Sequence, residues 1–370
     1  ASWAAAIERY LAALNTVHCQ SRIATTHDKA YQLLQSQKIH TFVFDEDFTR
    51  TLIHIDQVRP ADVDAFRRAT KGSSNAQIKA LDKHLKSVLH APTRMTIPQS
   101  VQGFSEEAIH QILLGMPASF CSPIETLFRC EAFRKDAACP NSPESIYCIT
   151  RQTLSASKKY IVLSATADEQ VYRLLFGERL VFIDLSGTEL KGKLFCHTRK
   201  SFSKQGIRSD LAAFAARVQK DKQKLGFEGV ITHKLCAEKG EDGLYLKETN
   251  GTVPVFGTFG ALQGLDSLGG KRLAVYGTHY LPVHVVKLWA FILGLTVDED
   301  EYSHLDREVE WGEYQLNVPT CAADPDVQRL YLWLAHSEIV QAVGRARLVS
   351  HDTEVHVFAK LPISGCRLEK

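Results

Sequence analysis

An α/β fold built on parallel sheets is what this sequence predicts, and three observations predict it. Short β-branched or aromatic runs alternate with helix-period segments, the rhythm of βα units around a mostly parallel sheet. The 370 residues are enough for roughly two or three domains, each with a core of its own. The composition, 45% hydrophobic and 23% charged, is that of an ordered globular chain and excludes wholesale disorder.

The expected buried strands are Ser21 to Thr25, Thr41 to Phe44, Tyr160 to Leu163, Leu180 to Leu185, Gly229 to Thr232, Arg272 to Tyr276 and Glu354 to Ala359. Apolar residues at helical spacing predict helices over Asp28 to Ser36, Ser105 to Leu114, Asp168 to Phe176, Ser209 to Leu225, Val283 to Leu293 and Asp326 to Val343. The last admits division into two, because Ser337 could cap a second helix. The stretch 48–157 reads differently: it is polar, rich in Lys, His and Ser, and has helical periods with few strand signals. It is expected to be a mainly helical insertion in a first lobe spanning 1–185. A glycine-containing, charged segment, Asp184 to Lys193, marks the passage to a second lobe spanning 186–370.

Lys and Arg number 44 against 42 Asp and Glu, a formal charge of +2, so any basic groove must be local. Nine cysteines, an odd count scattered from Cys19 to Cys366, argue for reduced thiols in a cytoplasmic-type compartment. The most apolar run, Leu288 to Val297, is about half the length that spans a bilayer, so no membrane partner is expected. The opening ASWAAAIERYLAALN lacks the basic region of a signal peptide, and the chain is expected to begin inside a longer polypeptide.

Four segments carry residue types suited to chemistry. Thr41 to Phe44 is an apolar run ending in Asp45, Glu46 and Asp47; carboxylates there could hold the water shell of Mg²⁺ and polarise an attacking water, or simply form a solvated turn. Tyr160 to Leu163 ends in Ser164, Ala165 and Thr166, whose hydroxyls could couple a nucleotide site to a neighbouring lobe or belong to a cap for the next helix. Thr258 to Asp266 is a glycine-containing turn with Thr258, Gly264 and Asp266 as polar or close-approach positions. Glu338 to Arg347 places Gln341, Gly344, Arg345 and Arg347 together, and paired guanidinium groups suit phosphate recognition.

In this order the four segments resemble motifs II, III, V and VI of superfamily 2 helicases, and Ile23 to His27 resembles motif Ib. The resemblance covers about Arg22 to Lys360. It implies two RecA-like lobes with ATP hydrolysed between them and a nucleic-acid strand bound by both. Asp45 would then serve Mg²⁺, and Glu46 would activate water. Gln341, Arg345 and Arg347 would act on the transferring phosphoryl group, and Gly264, Asp266 and Gly344 would lie at the nucleotide. Ser164 and Thr166 would couple the lobes, while Thr26, His27 and Thr258 would touch nucleic acid. The implied enzyme is an ATP-dependent helicase or translocase. DNA is favoured over RNA because the long insertion between motifs II and III resembles the arch of the XPD and DinG helicases.

The sequence departs from that family where it matters most, because no G-x-x-x-x-G-K-[ST] loop precedes Asp45. Gly187 to Lys193 has the glycine spacing, yet Leu194 stands where the metal-binding hydroxyl belongs, and the order is wrong. The expectation is a P-loop in an upstream part of the same polypeptide, this chain alone being inactive. The alternative is a nucleic-acid-binding or scaffolding module without ATPase activity. Cys121, Cys130, Cys139 and Cys148 recur at nine-residue intervals, unlike the close pairs of structural zinc, and are expected to be small apolar residues that bind no metal.

Overall fold

The computed structural model describes residues 34, 39–98, 113–114, 123–136, 144–185, 189–249, 251–262, 265–298, 306–312 and 314–369. The chain divides into two units, Ala1–Ser164 and Ala165–Lys370. The division falls inside the Ser164-Ala165-Thr166 tripeptide, ahead of the boundary expected after residue 185.

The described part of the first unit opens with β1 (Thr41–Asp45), where Phe42 and Phe44 are buried and Val43 is exposed, as a pleated strand with one covered face requires. A one-turn helix, α1 (Thr49–Leu52), follows. Then come β2 (Ile53–Val58), α2 (Pro60–Ala69), α3 (Ala76–Leu89), the two-residue β3 (Met95–Thr96), β4 (Ala132–Asp136), β5 (Ser145–Arg151) and β6 (Lys159–Leu163). β6 returns parallel to β1, with Thr41 opposite Lys159 and Asp45 opposite Leu163. A parallel pair needs a crossover, and here the whole insertion serves as one.

That insertion differs from the mainly helical one expected. Beside α2 and α3 it carries a four-stranded antiparallel sheet in the order β2-β5-β4-β3. β2 and β4 escape a hydrophobicity reading because they are chemically mixed: β2 is IHIDQV and β4 is AFRKD. Arg134 is buried in β4 because its guanidinium reaches Asp136 at 3.0 Å. The core between helices and sheet holds Val63, Phe66, Leu81, Leu85, Val88, Ile124, Leu127 and Ile146, with Cys130 and Cys148 among them. α2 takes Pro60 at its first turn, and Asn75 caps α3 by accepting from Gln77 N at 2.8 Å.

The second unit begins with α4 (Glu169–Phe176) and then builds one sheet. Its elements are β7 (Lys193–His197), α5 (Lys204–Ser209), α6 (Leu211–Leu225), β8 (Gly229–Thr232), the hairpin β9 (Ala237–Gly240) and β10 (Gly243–Leu246), β11 (Val255–Thr258) and β12 (Leu273–Tyr276). They continue with α7 (Val283–Ile292), the hairpin β13 (Asp306–Trp311) and β14 (Tyr314–Pro319), α8 (Pro325–Gly344), β15 (Glu354–Phe358) and β16 (Arg367–Glu369). The six-stranded sheet has the order β11-β8-β12-β15-β7-β16, and every pairing in it is parallel. β8 and β12 are buried at all four positions, as central strands covered on both faces must be. This is the α/β architecture the sequence predicts.

One expected element of this unit takes another form, and the optional division of another does not occur. Leu180 to Leu185 is not a buried strand: Val181, Ile183 and Leu185 are 72–81% exposed, and the segment joins no sheet among the described residues. The 326–343 region is one helix, with Ser337 buried inside it. Asp324 caps it by accepting from Asp326 N at 2.9 Å and Val327 N at 3.1 Å. The helix is apolar around most of its circumference, so no local break interrupts a segment already surrounded by core.

Candidate functional site

In the first unit the register of β1 and β6 sets Asp45, Glu46 and Ser164 at the carboxyl ends of neighbouring parallel strands. Glu46 N donates to Leu163 O at 2.8 Å, which extends the pairing past the last residue of β1. Ligands of open α/β sheets are bound at such an edge. Asp45 is exposed there, a hard oxygen donor of the kind that suits Mg²⁺. Glu46 has φ 102, an unfavourable conformation for a side chain larger than glycine. Asp47 is spent on local structure, accepting from Thr49 N at 3.0 Å and from the Thr49 hydroxyl at 2.9 Å. The three acids thus have different surroundings, and only Asp47 is buried.

In the second unit α8 organises the remaining residues. Glu338, Gln341 and Arg345 follow at i, i+3 and i+7, which puts them on one helical face. Glu338 is 2% exposed and accepts from Gly260 N at 2.9 Å, so the turn that follows Thr258 is fastened to the face bearing Gln341 and Arg345. Gly260 has φ +80, a conformation open to glycine at no steric cost. Thr258 and Gln341 are thereby brought into one neighbourhood.

The opposite side of α8 holds the segment that begins with Ala165. Trp333 Nε1 donates to Thr166 O at 2.7 Å, and Arg329 grips both oxygens of Asp168 at 2.7 to 3.2 Å. Asp168 also caps α4 through Val171 N at 3.1 Å. Thr166 therefore packs with the second unit, on the far side of the helix from Arg345, whereas Ser164 ends the first unit.

Gly344 lies in the last helical turn with open space where a Cβ would stand, so neither room nor backbone conformation demands glycine there. The left-handed turn comes at Arg347, with φ 54. Arg345 is half-buried and Arg347 exposed. Gly264, Thr26 and His27 lie outside the described residues; Asp266 starts a short 3₁₀ turn, Asp266–Leu268. Of the spaced cysteines, Cys121 and Cys139 also lie outside the described residues. Cys130 and Cys148 sit in the first unit's core, where the neighbouring Cys130 thiol and burial hold the Cys148 thiol well above its usual range.

Gly187 lies outside the described residues, and Gly192, the second glycine of that spacing, has a packing role. A Cβ on Gly192 would lie 2.6 Å from Thr353 O and 2.6 Å from Leu348 Cδ2, and Gly192 N donates to Leu348 O at 3.0 Å. Lys193 pairs with Glu354 at 3.4 Å.

Sequence reasoning missed a group at the carboxyl ends of β8, β11 and β12. His233 directly follows β8, its ring 5.1 Å from Phe259 and 6.0 Å from His279. Burial, with the nearby His279 adding to it, pushes His233 down to about 4, so its imidazole is neutral at physiological pH. The Thr-His pair that closes an otherwise apolar strand was the available signal. Glu338 was also missed as an anchor, although it stands one helical turn before Gln341.

No protein-family model and no curated protein sequence matches the chain. Among solved structures, one named "XPD_APO" superposes with a TM-score of 0.45 and 11% identity, covering 89% of this chain and 76% of that one.

Proposed function

We infer that this chain is the motor portion of an ATP-dependent superfamily 2 helicase or translocase, with DNA the favoured strand. The observation that carries the reading is the pairing of β1 with β6, which sets Asp45, Glu46 and Ser164 together at the carboxyl edge of a parallel sheet. In this reading Asp45 holds the water shell of Mg²⁺, and Glu46 takes a proton from the attacking water. The second unit contributes Gln341, Arg345 and Arg347 toward the phosphoryl group, while Gly264, Asp266 and Gly344 lie at the nucleotide. Ser164 and Thr166 couple hydrolysis to movement, and Thr258, Thr26 and His27 meet the nucleic-acid backbone. Bound Mg-ATP supplies the phosphoryl group; the loop that cradles it comes from an upstream part of the polypeptide.

A second reading, a nucleic-acid-binding or scaffolding module without hydrolysis, is favoured by Gly192, which is committed to packing against Thr353 and Leu348. Nucleic-acid-stimulated ATP hydrolysis by the protein containing this chain and a P-loop separates the two. The motor reading predicts stimulation, and a Glu46→Gln rate lower by about 10² to 10⁴. Strand binding with no hydrolysis under any condition would establish the module instead.

A further inference from the structure

The solvent face of α3 is a line of cations. Lys79, Lys83 and Lys86 on the helix and His90 at its end recur at i, i+4, i+7 and i+11, and all four are exposed. At 1.5 Å per residue the line is about 16 Å long. The opposite face holds Leu81, Leu85 and Val88 in the core, so the row is fixed on a packed element.

The turn before α3 extends it. Arg68 and Lys71 are exposed and line, with Arg67, Gly72, Ser73 and Lys79, an open hollow of about 710 Å³ between α2 and α3. The two acids of the hollow, Asp64 and Asp82, both face Arg67, at 4.0 and 2.7 Å. Arg68, Lys71, Lys79, Lys83 and Lys86 make no ion pair with a described residue. In a chain whose formal charge is only +2, this is a local concentration of positive charge.

We propose that the outer face of α3, with Arg68 and Lys71, is a docking surface for the phosphate backbone of a nucleic acid. The inference rests on the reading that the protein works on nucleic acid and adds a contact remote in sequence from every motif of that reading. A straight row of cations suits a polymer of evenly spaced phosphates. Apart from the lysines, the exposed positions on α3 are Ala76, Gln77, Ala80 and Ser87, so the helix lacks the large apolar side chains that seat an amphipathic helix in a lipid surface. With no aromatic side chain exposed on α3 to stack on a base, the contact reads charge and spacing and tolerates any sequence.

The test is fluorescence anisotropy of a labelled 20-nucleotide strand, alone and as a duplex, titrated with the full chain over 50 to 300 mM NaCl. The Lys79→Ala/Lys83→Ala/Lys86→Ala variant should bind at least about tenfold more weakly near 0.1 M salt, and the slope of log affinity against log salt should shrink by about 2 for a single strand. The corresponding triple Arg variant should keep wild-type affinity, and circular dichroism should be unchanged in both. An alanine variant with wild-type affinity and slope overturns the α3 surface and leaves the motor reading standing. A wild-type chain that binds neither strand nor duplex overturns both. Lysine-dependent binding to phosphatidylserine vesicles, with oligonucleotide binding unchanged in the alanine variant, would assign the surface to a membrane and overturn the proposal.

Discussion

The backbone N–H of Gly260 points at the Glu338 carboxylate, 2.9 Å away and almost wholly buried. This contact fixes the turn after β11 to the helix carrying Gln341 and Arg345. A charge-assisted bond to a buried carboxylate is costly to lose. Glu338→Ala should destabilise the second unit by about 1 to 3 kcal/mol and should speed amide exchange at Gly260 more than at the centre of β12. Urea denaturation and hydrogen-exchange mass spectrometry check the two parts; unchanged exchange at Gly260 would show the turn to be held by other contacts.

Gly192→Ala should cost about 1 to 3 kcal/mol, since the added methyl meets the backbone oxygen of Thr353 as well as the flexible end of Leu348. Thermal unfolding measures it. Lys193→Ala, which removes one partly exposed ion pair, should change stability by less than about 1 kcal/mol.

Three histidines of the second unit should make it acid-sensitive. Burial pushes His233, His336 and His356 each down to about 4. Between that value and the ordinary value near 6.5, the unfolded chain binds protons that the folded chain refuses. Stability therefore rises with pH through this window and is lost as pH falls, by up to about 1.4 kcal/mol per pH unit for each histidine. Denaturation midpoints at pH 7.0 and 5.0 should differ accordingly, and His356→Phe should flatten the dependence.

Glu46 stands where strain and proposed chemistry coincide. Its φ of 102 is relieved by glycine, so Glu46→Gly should leave the first unit as stable as wild type or firmer by about 1 kcal/mol. The same change should abolish hydrolysis in the protein carrying the P-loop. A destabilised Glu46→Gly chain would show that the side chain, and not the backbone, sustains this turn.

Three adjoining strands of the second unit's sheet, β8, β12 and β15, were legible because they are short runs rich in β-branched or aromatic residues, whereas β7, β11 and β16 of the same sheet were not expected. The antiparallel sheet of the insertion was not legible, because β2 and β4 mix polar and charged residues with apolar ones and are completed by pairing distant in sequence, as Ile53 is with Arg151. Among the candidate site residues, Asp45 was visible as the end of an apolar strand and Arg345 as the end of a helix, whereas Thr258 was visible only as the start of a glycine-containing turn. Glu338 and His233 were not, since their roles depend on Gly260 and Phe259 reaching them through tertiary packing. Thr166 was placed by its strand, yet Trp333 draws it into the other unit.

Single-turnover ATP hydrolysis by the P-loop-containing protein, wild type against Arg345→Ala, tests the motor reading most directly, with nucleotide affinity titrated in parallel. A guanidinium that stabilises charge in the transition state leaves ground-state binding nearly unchanged when removed. The prediction is a rate lower by about 10³ or more, little change in ATP affinity and poor rescue by Arg345→Lys. Hydrolysis at the wild-type rate in both variants would contradict it, leaving Arg345 a structural residue at the end of α8.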